Sequence, residues 1–580
     1  MKIKHFFGLA VIAAMTASCS SNEDLGTAGP GTGTNEAGVG YATFTINLPS
    51  VSGTRVADAG GAEMNEGTEE EYAVKSATAL IFQKYGSDEG SYKFVESVTL
   101  PIDGWTNDET DGITTTSKKL VAKLTNVDTK NDYSVLILLN NTKVALPTVG
   151  QSYNDWNSKN ILTLSATDWA GSDGFYMANA PLKGSAASPA TLVSIDKDKI
   201  YASETEANKP TNDCAATVFV ERGVAKMTVA DPGAITVKDK ATSADTKSEV
   251  TFSKWALDIT NKKTFAVHNI DGLKSDFGDI WKTDPSNRFI GTNNRVYWGK
   301  DPNYENDDLK LTDKDAERQA EFNFITATSE IDKDFGETNP VYCLENTFNL
   351  TNMYQGQTTR VIFKATYTPK DDGGNLLADD DDGTFYTIGN MTTILNTDKL
   401  KAAVNAVANP VLPTGYTIDY TNFKTKEGSH VITLADIKDA TGTVLVGATP
   451  YSIGTGTKTG DEIVADINTK LGLKAGRSEE MVGINTYLKG ATYYIARVKH
   501  FSSLTWQSGE PYGDNNDKYL GRYGMLRNNW YELKVGNVYG PGYPGVPPVD
   551  PTLPDDENEK YLSVSVKILS WAKRSYTVDL

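Results

Sequence analysis

The fold is decided by the stretch Tyr41-Ala42-Thr43-Phe44-Thr45-Ile46-Asn47-Leu48-Pro49. Ala42, Phe44, Ile46 and Leu48 fall on one face of an extended chain, and Tyr41, Thr43, Thr45 and Asn47 on the other. Strict alternation with period two predicts a half-buried β-strand. Pro49 has no N–H to give to a ladder and stops it. The same pattern returns at the far end of the chain. There Leu562, Val564, Val566 and Ile568 alternate with Ser563, Ser565 and Lys567, with Trp571 following.

Between these ends, further runs read as strands: 77–82, 133–139, 175–179, 217–220, 223–229, 254–259, 359–367, 491–498 and 530–538. Tyr133 to Leu139 (YSVLILL) is almost wholly apolar, as a strand covered on both faces should be. Only two helices stand out. Asp398 to Ala408 has Thr397 or Asp398 as its cap and Pro410 beyond its end. Asp461 to Leu471 stacks Ile463, Ile467 and Leu471 on one side and ends at Gly472. The reading is all-β, with turns supplied by 50 glycines.

Composition excludes several functions. The chain has 580 residues and a formal net charge of −19, from 56 Lys+Arg and 75 Asp+Glu. Such a surface does not suit nucleic acid, whose phosphates require Lys and Arg. A hydrophobic fraction of 39% excludes a multi-span membrane protein. The three cysteines (Cys19, Cys214, Cys343) form no C-x-x-C pair. The four histidines are scattered singly, and neither H-E-x-x-H nor G-x-S-x-G occurs. No catalytic residue, metal ligand or cofactor is assigned.

The N-terminus reads as an address. Lys2, Lys4 and His5 precede an apolar run from Phe6 to Met15, too short to span a bilayer. It ends in Thr16-Ala17-Ser18-Cys19, which resembles a bacterial lipobox with Cys19 as the lipidated residue, although Thr16 departs from the usual Leu. Residues 1–19 are thus expected to be a lipoprotein signal peptide. Ser20 to Asp24 resembles an acidic surface-export tag of Bacteroidetes. Asn22 to Gly40 holds six glycines in 19 residues, a flexible tether. After the first strand comes Arg55, with the next arginine 167 residues later at Arg222. Small residues flank it and an acidic loop (Gly60 to Glu71) follows, which marks the Arg55–Val56 bond as a protease site. Residues 20–55 would then be a removable segment.

The C-terminus complements it. Gly540 to Glu559 (GPGYPGVPPVDPTLPDDENE) carries six prolines and reads as an extended, semi-rigid linker rather than core. The strand beyond it has two fates open. It folds back on its own domain, or it adds to a sheet edge of another chain. Burying its four aliphatic side chains would contribute roughly 6–12 kcal/mol before association costs. A groove vacated by Tyr41–Leu48 would be a complementary site.

Other features are weighed and set aside. Asp379 to Asp382 lacks the Glu of an EF-hand and reads as a solvated loop, as does Asp514 to Asp517. Gly454 to Gly460 lacks the G-K-[ST] order of a phosphate loop. The nine tryptophans suit either packing or sugar stacking. Whether Cys214 and Cys343 pair is left open.

Several motifs kept in order carry a resemblance. They are the lipobox at Cys19, the strand ending in Asn140-Asn141, Met177-Ala178-Asn179, and Val220-Glu221-Arg222-Gly223-Val224-Ala225-Lys226. They continue with Trp255 to Asn261, Ala491 to Tyr494, and Arg527-Asn528-Asn529-Trp530-Tyr531. Together they resemble the fimbrilins of Bacteroidetes, the type V pilins, and among them the minor-fimbria (Mfa-like) shaft subunits. The resemblance implies two transthyretin-like Greek-key β-sandwich domains, here 56–210 and 211–540, with 541–580 as linker and donor strands. It implies export to the cell surface as an outer-membrane lipoprotein and cleavage after Arg55 by an arginine- or trypsin-specific surface protease. It further implies polymerisation with other copies through Leu562, Val564, Val566, Ile568 and Trp571. Accessory anchor and tip pilins, host or bacterial receptors, adhesion and biofilm growth belong to the same picture. The competing readings are a tip or anchor subunit of the same pilus, a monomeric glycan-binding surface lipoprotein, and a secreted β-rich hydrolase.

Overall fold

The computed structural model describes residues 33–34, 38–49, 64–65 and 67–571, without 104, 106–116, 184–188, 272–288, 290–294, 390, 455, 475–481, 501–518 and 556–561. Cys19, Arg55 and Val56 therefore lie outside the described residues.

The chain is all-β with few, short helices. The first sheet contains β1 (Gly40–Asn47), β3 (Ala77–Gln83), β4 (Lys93–Thr99), β5 (Ser117–Leu124), β6 (Tyr133–Leu139), β7 (Met177–Asn179) and β8 (Ala216–Arg222), with two shorter strands. The two-residue strand β2 (Met64–Asn65) lies elsewhere, as shown below. All seven residues of β6 are buried, and β3 flanks it throughout. The core enclosed by this sheet includes Phe44, Ile46, Leu80, Phe82, Leu136, Leu138 and Trp156.

The chain crosses to a second group of sheets at Gly223. Immediately after β8, β9 (Val224–Val229) pairs with β12 (Val341–Leu344) and, in parallel, with β15 (Asn529–Val538). The last described strand, β16 (Leu562–Trp571), lies on the far side of β15. A four-stranded sheet of β10 (Ala234–Lys238), β11 (Asp245–Asp258), β13 (Arg360–Thr368) and β14 (Ala491–Arg497) faces this one. One core, with Met227, Phe252, Trp255, Phe363, Tyr494, Tyr531 and Leu533, fills the space between the two. The expected boundary near residue 210 precedes β8, but the hydrogen bonds keep β8 in the first sheet as far as Arg222.

β13 and β14 are antiparallel neighbours, yet 369–490 intervene between them. That excursion holds both expected helices, α2 (Thr397–Ala408) and α3 (Gly460–Lys470). The side chain of Asn396 accepts from Lys399 N, so the cap lies one residue before the expected pair. Gly472 ends α3 with φ of 71°, as its sequence position implied. Leu400, Val404, Phe423, Ile463, Ile467 and Ile484 give the excursion a hydrophobic core of its own.

The crossing at Gly223 is sterically constrained. A Cβ there would lie 2.5 Å from Cε3 of Trp169 and 3.0 Å from Cδ1 of Tyr176. Those two rings stack with centroids 4.5 Å apart and fill the space against the backbone. Gly223→Ala is expected to destabilise the protein by about 1–3 kcal/mol through overpacking. Urea unfolding followed by Trp fluorescence measures it, and an unchanged midpoint would contradict the packing described.

Candidate functional site

Two strand berths and the segment between them form the candidate site. The first berth holds β1. One edge of β1 pairs antiparallel with β5 over all eight residues, from Gly40↔Leu124 to Asn47↔Ser117. Its other edge pairs with Ile200–Tyr201 and, in parallel, with β8 from Phe44↔Ala216 to Asn47↔Phe219. Ala42, Phe44 and Ile46 are fully buried and Leu48 is 2% exposed. The four residues expected on one face do share the core. Thr43, on the opposite face, is buried as well.

The second berth holds β16. It pairs antiparallel with β15 at eight positions, from Asn529↔Ser570 to Val538↔Leu562. On its other edge, among the described residues, Met64 and Asn65 of β2 meet it, at Ser570 and Trp571. Leu562 is buried, while Val564 and Val566 are half-buried against the second core. Of the two fates the sequence left open, this chain shows the strand returned to its own sheet.

The segment from β2 to β3 is clamped where the sheets meet. Thr68 opens α1 (Glu69–Tyr72), and Glu71 turns inward although it belongs to an acidic run expected to be a loop. Its carboxylate takes Lys226 Nζ at 2.7 Å and the Tyr342 hydroxyl at 2.5 Å. Its backbone carbonyl accepts from Arg222 Nε at 2.7 Å. The Lys226 ammonium sits 3.4 Å from the centre of the Trp530 ring. Burial lowers the Lys226 ammonium from its usual range and the nearby Glu71 carboxylate opposes that shift. The Arg222 backbone N–H donates to Asn528 Oδ1 at 3.0 Å. Residues from the motifs at 220–226 and 527–531 thus hold the chain just downstream of Arg55. Asn140, at φ of 53°, continues the clamp. Its side chain accepts from Lys75 N at 2.7 Å and donates to Ala73 O and Phe175 O.

A neighbouring buried cluster joins Glu221 to His268 Nδ1 at 2.8 Å and to Arg295. Burial pushes the Glu221 carboxyl upward, but Arg295, His268 and Arg527 outweigh it and hold it at about 2. His268 is 1% exposed and its Cδ2 edge faces Gly299, so this carboxylate–histidine pair is packed into the interior.

The proline-rich linker differs from expectation. It is extended, but residues 540–555 are packed along the second group of sheets instead of standing off it. Tyr543, Pro544, Pro547, Pro551 and Asp555 are buried. Tyr493 and Tyr543 exchange both backbone hydrogen bonds, at 2.9 and 2.7 Å. Arg360 Nη2 donates to Pro547 O at 2.7 Å while its Nε pairs with Asp258 at 2.8 Å. The strap, together with Phe324, Ile325 and Arg318, borders a groove of about 360 Å³.

Remaining sequence candidates resolve as follows. Cys343 is a free, buried thiol, so it does not pair with Cys214. Burial pushes that thiol up to about 12. Among the described residues, Trp105, Trp156, Trp169, Trp255, Trp298 and Trp530 are all buried, which is packing and not a sugar platform. Asp379, Asp381 and Asp382 come together, but Asp379 is engaged with Thr397 N at the start of α2. Among the described residues no helix is long and apolar enough to cross a membrane.

Residues 485–577, which span β14, β15 and β16, match the family described as major fimbrial subunit protein type IV, fimbrillin, C-terminal. The C-terminal part of the chain is therefore similar to fimbrillins. No curated protein matches the chain. Among solved structures, a candidate cell adhesion protein from Bacteroides eggerthii DSM 20697 is 11% identical, with a TM-score of 0.31, covering 94% of this chain and 98% of that one.

Lys226→Met is expected to cost about 3–5 kcal/mol, because Glu71 stays buried without its cation. Adding Glu71→Gln should recover part of that loss in urea titrations. Independent effects of the two changes would contradict the pairing. Glu221 stabilises the fold above its ordinary value of 4.5, and that contribution is lost as pH falls toward about 2. The penalty of Glu221→Gln should accordingly be larger at pH 7 than at pH 2.5, measured by thermal unfolding at both.

Proposed function

We propose that this protein is a structural, non-enzymatic subunit of a cell-surface fimbria, most like a shaft subunit. In this reading it is exported as a lipoprotein on Cys19 and cut between Arg55 and Val56 by an arginine- or trypsin-specific surface protease. It then polymerises when Leu562–Trp571 of one copy enters the berth that β1 leaves in the next. Two sandwich domains meet at Gly223. Anchor and tip pilins, surface receptors, adhesion and biofilm growth are the setting in which such a filament works.

The observation that carries the reading is the inequality of the two berths. Among the described residues β1 is paired along both edges, whereas β16 is paired at eight of its ten residues along one edge and at two on the other. Moving β16 into a vacated β1 berth adds a second row of ladder hydrogen bonds. It also takes Val564 and Val566 from half-buried to enclosed, on the order of 1 kcal/mol each. The apolar spacing fits, since 42, 44, 46 and 48 and 562, 564, 566 and 568 both recur at every second residue. Length supports it too. Val538 and Leu562 are register partners, so two residues could close that hairpin. The chain spends 539–561 there instead. The match of 485–577 to fimbrillins covers this same region.

The test uses the chain from Ser20 onward, treated briefly with an arginine-specific protease. The expected product begins at Val56 and forms SDS-resistant ladders on unboiled gels. Ladders should vanish when 562–580 is deleted. A chain that is not cut at Arg55, or a cut chain that stays monomeric, would overturn the reading.

A further inference from the structure

The strap and β16 are held by different partners. Tyr494 and Tyr487 hydroxyls donate to Gly540 O and Gly542 O at 2.9 and 2.8 Å. Gly542 N donates to Thr492 Oγ1 at 2.8 Å, and a Cβ on Gly542 would lie 2.1 Å from Tyr493 O, so the strap lies backbone on backbone. Farther along, Gln355 N donates to Leu553 O at 2.9 Å and Asp555 N to Met353 O at 3.2 Å. These bonds go to β14, the approach to it and the 353–360 turn, and none of them goes to β16.

Asp555 closes the strap with a charge argument. Arg360 and Arg497 are register partners on β13 and β14, and both are almost fully buried. Like charges directly opposite in a ladder repel. Asp258 pairs with Arg360, and Asp555, 1% exposed, approaches Arg497 Nε at 4.0 Å and accepts from Thr358. Lifting the strap would withdraw a carboxylate from one of two facing buried arginines, which is strongly unfavourable.

Resting on the strand-exchange reading above, we propose that residues 540–555 stay docked when β16 leaves, so the arm given to the next copy begins only after Asp555. This fixes where the neighbour sits. From Asp555 to Leu562 is seven residue steps, a reach of at most ~25 Å, against ~85 Å if the arm began at Val538. The partner is a second copy of this chain. Its vacated β1 berth must open beside the face that carries the 353–360 turn and the end of the strap, and that face is the contact between subunits.

Hydrogen exchange with mass spectrometry on wild-type cut monomer and wild-type ladders tests this directly. Peptides covering 540–555 should keep their protection in ladders to within about 2-fold. A rise of 10-fold or more in their exchange would overturn the proposal while leaving strand exchange standing. Absence of ladders in the wild type would overturn both. Two disulfide staples give a second readout. Tyr354→Cys with Pro554→Cys pins the end of the strap at an existing bridge pair and should leave ladders intact when oxidised. Lys534→Cys with Ser565→Cys pins β16 to β15 and should abolish ladders until dithiothreitol is added. Ladders blocked by the first staple and restored on reduction would place the start of the arm before residue 554 and refute the proposal.

Discussion

One side of the first sheet depends on β1 having neighbours along both edges. Among the described strands, β5 finds its hydrogen-bonded partner only in β1, and Ile200–Tyr201 joins the sheet through it as well. Take β1 away and β5 is parted from β8 by an empty strand width, with the seats of Phe44 and Ile46 open to water. An exposed edge of this kind seeks another strand. The cohesion of the sheet and its appetite for a replacement therefore come from the same eight residues.

Burying charge at the meeting of the sheets has a related logic. Glu71, the pair Arg222 and Lys226, and Tyr342 come from three separate stretches of chain, and the three charged groups are shielded from water. Such a group is costly to desolvate and stabilises only in one arrangement, so it selects geometry more than it adds stability. Here it holds the chain downstream of Arg55 against the second group of sheets. A break at Arg55 would remove only the covalent link to β1, while α1 and β3 stay in place.

How much of this was legible in the sequence varied with range. Tyr133–Leu139 and the alternation of 42–48 needed only local pattern, and both helices announced themselves by spacing and caps. Lys93–Thr99 and Ser117–Leu124 went unread, because three lysines in SKKLVAKL and the mixed KFVESVT dilute the period-two signal. The strands of the excursion are three or four residues long, too short for any periodicity to show. Glu71 looked like one more acid in Glu69–Glu71, since its partner Lys226 lies 155 residues away. The strap reads in the sequence as a semi-rigid linker outside the core, because proline-rich composition usually does. Its carbonyls are received by Arg360, Tyr487 and Tyr494, and nothing local marks those side chains as receivers.

The excursion between β13 and β14 leaves and returns at adjacent points and carries its own core. The entropic cost of closing a loop grows only slowly with its length. The exposed loops within 369–490 can thus be lengthened or shortened with little effect on the ladder beneath them, provided Phe385 and Tyr487, which pack into the second core, are kept. About a fifth of the chain hangs from one pair of neighbouring strands, so its outward loops can vary while that ladder keeps its register.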